Sequence, residues 1–194
     1  MKLQIKDQTM LQQDSITAIQ PHFVTLQQKG IGIVRIVFGV AWAAAAFLKW
    51  QPVFIQSFAD TISGASQGQP ALIQTWIGLW KSIVLLNPTG FGFLPALVES
   101  LLAICFIFGI FTNSAAFIGI FWSFTIWSVP EGFGGPYALG HSTDTGTAFP
   151  YLLLCTLLLL LSAGRYLGID SVLTPKLGRL GFLASGPLRT PPAI

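Results

Sequence analysis

Four groups able to exchange a proton, Glu99, Glu131, His141 and Asp144, stand in a chain that otherwise has little to ionise. Three of them fall in one stretch, residues 129–147, together with Tyr137 and the glycines 132, 134, 135 and 140. Carboxylates and an imidazole in this arrangement offer general acid–base chemistry or anion binding, and the glycines open backbone turns closed to other residues. The same composition also describes an ordinary surface loop with turn glycines. Glu99 differs, because its neighbours in sequence are apolar, and a charge among apolar residues is costly unless paired or hydrated. It is open to three chemical readings: a protonated carboxyl, a partner of Lys49, or a proton acceptor for a bound molecule. The alternative is a buried ion pair that holds two helices in register.

The chain that must position these groups has 194 residues, of which 53% are apolar and 9% charged, with sixteen Phe and six Trp. Ordinary soluble proteins carry roughly a quarter charged residues, so this balance excludes a soluble enzyme. The mean hydropathy of +0.69 makes lipid the natural solvent. Ten basic and seven acidic residues are spread along the chain without the concentrated basic patch that nucleic-acid binding needs, which argues against nucleic acid as a partner. Cys105 and Cys155 lie deep in apolar runs and form no C-x-x-C pair, so cysteine chemistry is not the expected mechanism. His22 and His141 lie outside the apolar runs and cannot supply paired axial ligands, so neither haem nor a metal is expected.

Four apolar stretches, residues 30–50, 91–112, 114–129 and 145–164, are read as membrane spans, the middle two forming a helical hairpin broken at Asn113. Residues 71–86 are also apolar but hold Gln74, Thr75, Lys81 and Ser82. Charge asymmetry decides their place. With four spans, Lys2, Lys6, Lys29, Arg35, Arg165, Lys176, Arg179 and Arg189 share one side and only Lys49 and Lys81 lie opposite, as the positive-inside rule requires. Residues 71–86 are therefore expected as an amphipathic helix on the outer face, anchored by Trp76 and Trp80. The expected fold is an all-α membrane protein, a four-transmembrane-helix bundle with an extracytoplasmic interfacial helix and loop, multi-pass in the cell membrane with both termini cytoplasmic. Residues 1–29 are read as a cytoplasmic or interfacial arm, 30–173 as the membrane domain and 174–194 as a cytoplasmic tail. Residues 60–70 are expected as a polar loop and 87–90 as a turn.

Helical spacing sorts the polar residues within the spans. Arg35, Gly39, Trp42, Ala46 and Lys49 share one stripe of the first span, expected to face the other helices, with Lys49 near the outer end. For Lys49, snorkelling to the interface competes with a bundle-facing role. On the fourth span Asp144, Thr147, Tyr151, Cys155, Ser162 and Arg165 recur at helical period, a polar stripe that ordinary inter-helix hydrogen bonding also explains. Asp144, just before that span, is placed to cap its first turn.

Three segments, RIVFGVAWAAAAFLKW, PEGFGGPY followed by GHSTDTGTAFPY, and GRYLGID, together resemble the DoxX/DoxD-like membrane proteins, over roughly residues 30–173. The branch containing the DoxD subunit of thiosulfate:quinone oxidoreductase is the most similar. The resemblance implies a four-helix bundle near electron transfer, in which thiosulfate is oxidised to tetrathionate on the outer side and quinone accepts the electrons, in a complex with other membrane subunits. Glu131, Gly132, Gly134, Gly135, Pro136, Asp144 and Gly146 match its loop pattern. Set against that chemistry, Glu99, Glu131, His141 and Asp144 are the proton-exchanging candidates, and Lys49, Lys81, Tyr151 and Trp127 the substrate-binding ones. Quinone would come from lipid between helices, bounded by aromatics such as Trp42, Phe121 and Trp127. The competing reading is a non-catalytic subunit that fills or gates quinone access in a larger respiratory or photosynthetic assembly.

Overall fold

The apolar stretch from Leu26 onward meets no proline before Trp50, and it folds as the second half of one long helix, α1, Lys2–Lys49. The computed structural model describes the backbone of residues 2–136 and 145–186, and side chains from residue 26 onward within those ranges. Every regular element in the described residues is helical. After α1 come α2, Pro52–Gly64; α3, Ala71–Val84; α4, Pro88–Phe108; α5, Thr112–Ser128; α6, Ala148–Leu160; and α7, Asp170–Lys176. Short 3-10 turns follow α5, α6 and α7.

Proline and glycine set most of the boundaries. Extended Gln51 precedes Pro52 at the start of α2, where the ring removes an N–H that would be unpaired anyway. Asn87 accepts a hydrogen bond from Gly90 N at 3.0 Å and Pro88 takes the first helical position, so residues 87–90 are the cap and first turn of α4 rather than a separate turn. Gly109, with φ 65°, ends α4 as a left-handed cap, and left-handed Phe111 precedes α5. The hairpin thus breaks at residues 109–111, and Asn113 lies inside the first turn of α5. Helix α2 runs on into residues 60–64, the start of the expected polar loop. Its signal is the spacing of Phe54, Phe58 and Ile62, four residues apart on one face, with Ile62 buried.

Helix α1 packs along α4, and α5 along α6. Close approach is set by small residues: a Cβ on Gly39 would meet the backbone nitrogen of Ile107 at 2.7 Å, and one on Gly119 the sulfur of Cys155 at 2.6 Å. The main core joins Phe38, Trp42, Leu102, Phe106, Ala116, Cys155 and Leu158. A second cluster, Ile62, Ile77, Val84 and Val129, seats amphipathic α3 on α2. The stripe of Arg35, Gly39, Trp42 and Ala46 is buried as expected, and Lys49 is half-buried.

Two helices, Leu26–Lys49 and Pro88–Phe108, are long and apolar enough to cross a bilayer. Both turn Val37, Phe47, Leu48, Leu101 and Ile104 outward, a surface suited to lipid tails. Helices α5 and α6 have 17 and 13 residues, about 25 and 20 Å of rise against a hydrocarbon core of about 30 Å. The α6 helix is shorter than the stretch 145–164 because Ser162, with φ 47°, breaks it. Ser162 and Arg165 therefore leave the polar stripe that Tyr151 and Cys155 keep.

Candidate functional site

The C-terminal end of α1, the middle of α4, the second half of α5 and the first turns of α6 converge on one cavity of about 170 Å³. Each helix contributes a polar group: Trp42 and Lys49 from α1, Glu99 from α4, Ser123 from α5 and Tyr151 from α6. Glu99 is 1% exposed and Ser123 fully buried. Glu99 Oε2, Ser123 Oγ and Trp42 Nε1 are all enclosed without a hydrogen-bond partner. Buried polar atoms are nearly always satisfied, so three unpartnered ones around one cavity leave donors and an acceptor open to a polar guest, water included. Its volume compares with a cavity of about 150 Å³ that takes a benzene ring, although this one is lined with donors and an acceptor.

Lys49 and Glu99, matched in sequence as partners, share this cavity without closing an ion pair. The ammonium lies over the ring of Phe54, 5.1 Å from its centroid. The Trp122 indole approaches the Glu99 carboxylate, but its N–H makes no hydrogen bond. Tyr151 is held by rings instead, edge-on to Trp42 at 4.9 Å and tilted on Phe38 at 5.3 Å. One lysine and one glutamate leave the cavity with no net formal charge when both are ionised.

Glu131 stands beside the cavity and shapes it. Its carboxylate accepts from the Thr147 hydroxyl, and both its oxygens accept from the backbone N–H of Ala148, at 3.2 and 3.1 Å; Thr147 and Ala148 both line the cavity. Glu131 therefore caps α6 from the far end of the loop; the cap expected of Asp144 falls on a residue outside the described ones. Trp127 Nε1 donates to Thr145 O at 2.6 Å and its ring packs on Phe133 and Phe149, so Trp127 supports the loop without lining the cavity. Gly146, with φ 96°, leaves room for both: a Cβ there would meet Glu131 Oε2 at 2.6 Å. Lys81 is exposed on α3, away from the cavity lining. Tyr137, His141 and Asp144 lie outside the described residues.

Glu131→Ala is expected to lower stability by about 1–2 kcal/mol through loss of the cap. It should also loosen the first turn of α6, read as faster hydrogen exchange at the Ala148 amide. Unchanged exchange there would show that Glu131 does not hold the turn.

The opposite end of the helices carries a second buried polar group that the sequence reading did not assemble. Arg35 and Asp170 are both fully buried. Asp170 accepts from the backbone N–H groups of Phe111 and Thr112, at 2.7 and 2.8 Å, and from Ser185 Oγ at 2.8 Å, capping α5 from the chain that follows α6. Arg35 donates from Nη2 to Leu167 O at 2.9 Å, while its Nε and Nη1 have no partner. Gly109 and Gly168 leave the space that its Nη1 occupies. Asn113 completes the closure, donating to the carbonyls of Phe182 and Gly186 at 2.9 and 3.2 Å. The Asp170 carboxylate itself is saturated, while Arg35 Nε and Nη1, Thr112 Oγ1 and Asn113 Oδ1 around it have no partner; what sets the Lys49 end apart is that its unpartnered residues line a cavity.

No family profile, no curated protein and no solved structure matches the chain.

Proposed function

We propose that this chain is a DoxX/DoxD-like, multi-pass membrane subunit of a redox system, and that its cavity binds the headgroup of a quinone. In this reading α1 from Leu26 onward, α4, α5 and α6 are the four spans, both termini are cytoplasmic and the Lys49 end is outward. The observation that carries the headgroup is the convergence of unpartnered Glu99, Ser123 and Trp42 on a ring-sized cavity with Tyr151 at its wall. A quinone has two acceptor oxygens for the Trp42, Ser123, Tyr151 and Lys49 donors. Reduced to quinol it becomes a donor, for which Glu99 is the acceptor.

The resemblance supplies the other half of the reaction. Two thiosulfates joining as tetrathionate release two electrons, which with two protons convert one quinone to quinol. A cavity holding one lysine and one glutamate has no net positive charge to hold a dianion. Thiosulfate oxidation in this reading therefore belongs outside it, toward the loop that carries His141, or to a partner subunit.

The test uses a tail-less tetramethyl benzoquinone and the tryptophan fluorescence that a bound quinone quenches. Ser123→Val is expected to weaken binding about fivefold to tenfold through loss of one hydrogen bond. Glu99→Gln, equal in size, is expected to insert normally and to slow quinone-linked turnover in native membranes about a hundredfold. Wild-type binding in Ser123→Val together with wild-type turnover in Glu99→Gln would remove the headgroup from this cavity.

A further inference from the structure

A second recess, of about 370 Å³, lies between α1 and α6 on the outside of the protein. Ile33, Val37 and Ala41 form one wall, and Pro150, Tyr151 and Leu154 the other. It exists because α1 is committed to α4 and α6 to α5, while α1 and α6 meet through the rings of Phe38, Trp42 and Tyr151. Small or short side chains at Ala41 and Pro150 leave that seam unfilled. Val37, on its wall, is 62% exposed, so the recess opens onto the apolar outer surface. Tyr151 lines both this recess and the polar cavity, the one residue they share.

We propose that the α1–α6 groove holds the apolar chain of an amphiphile whose polar head occupies the cavity, so that the ligand slides in sideways from the bilayer past Tyr151. This inference rests on the headgroup reading and adds to it the ligand class, a ring with a long hydrocarbon tail, and the route. Two features select that occupant. The groove wall is hydrocarbon over about 12 Å of helix, from Ile33 to Ala41, which suits a chain and offers no anchor for a polar ligand. The groove also abuts, at one residue, a cavity whose polar atoms lack partners, so one molecule with a polar and an apolar end satisfies both. Tyr151, shared by groove and cavity, is thereby a positioning residue where head and tail join.

Two benzoquinones sharing one ring, one with a decyl chain and one with a methyl in its place, are titrated against the full chain in lipid nanodiscs. Ala41→Phe and Val37→Trp fill the groove from two points, and the exposed position of Val37 protects folding should Ala41→Phe disturb it. Each analogue is compared between variant and wild type, so membrane partitioning cancels. The expected result is a loss of about tenfold in affinity for the decyl compound and a change within about twofold for the methyl compound. Equal losses for both compounds, or no loss for either, would overturn the groove as the tail site while leaving the headgroup reading in place. Failure of both compounds to bind wild type would overturn the headgroup reading and this inference with it.

Discussion

Asp170→Asn is expected to cost the folded protein about 3–5 kcal/mol, a large loss for a near-isosteric change. Asp170 is fully buried and its two carboxylate oxygens accept three hydrogen bonds, from Phe111 N, Thr112 N and Ser185 Oγ. An asparagine keeps one acceptor oxygen and must turn its NH₂ toward a backbone N–H or a hydroxyl, so at least one donor at the start of α5 loses its partner. It also removes the negative charge that acts on the buried Arg35 guanidinium. The loss should appear in denaturant unfolding followed in detergent micelles, and as earlier proteolytic cutting beyond Arg165. Ser185→Ala removes one of the three bonds and is expected to cost about 1 kcal/mol. Equal stability of Asp170→Asn and wild type would show that the returning chain is not held by this carboxylate.

Why Asp170 escaped the sequence reading while Glu99 did not follows from where each one sits. Glu99 is flanked by apolar residues on both sides, so its cost is visible locally. Asp170 follows the last apolar run in a basic, glycine-containing segment, where an acid reads as solvated. Only the return of residues 165–186 against the start of α5 buries it. Ser123 was missed for a related reason, since a lone serine in an apolar helix reads as ordinary hydrogen bonding to its own backbone. Its spacing from Ala116 and Gly119 does put it on the inward face, but the meeting with Glu99, Trp42 and Tyr151 exists only in three dimensions.

Capping shows the same limit. The sequence rule places a cap next to the helix it serves, which led to Asp144. The carboxylate seen to reach Ala148 belongs to Glu131, seventeen residues earlier and just past α5, a long-range cap that no local rule points to. By contrast the inward stripe of α1 was legible throughout, because three- and four-residue spacing is a property of the helix alone. The amphipathic helix expected at residues 71–86 appears as α3, its Ile77 and Val84 buried as one face. Helix α2 was passed over because Gln56, Ser57, Asp60 and Thr61 hide a face carried by only a few apolar residues.

The second large effect expected is a rescue. In the Asp170→Asn background, Arg35→Met should restore about 1–3 kcal/mol, so that the double variant is more stable than Asp170→Asn alone. The argument turns on which partner can stand without the other. Asp170 has three donors of its own, so in Arg35→Met its carboxylate stays satisfied. Arg35 has a single hydrogen bond, to Leu167 O, and two enclosed nitrogens with none, so in Asp170→Asn it becomes a buried cation without a counter-charge. Methionine keeps most of the length of the arginine stem and removes the guanidinium that lies against Gly109 and Gly168, and with it the charge. Arg35→Met alone should therefore cost less than Asp170→Asn alone, and the two changes together less than their sum. Strictly additive costs in that cycle would mean that Asp170 acts only as the cap of α5, with Arg35 held by packing rather than by charge.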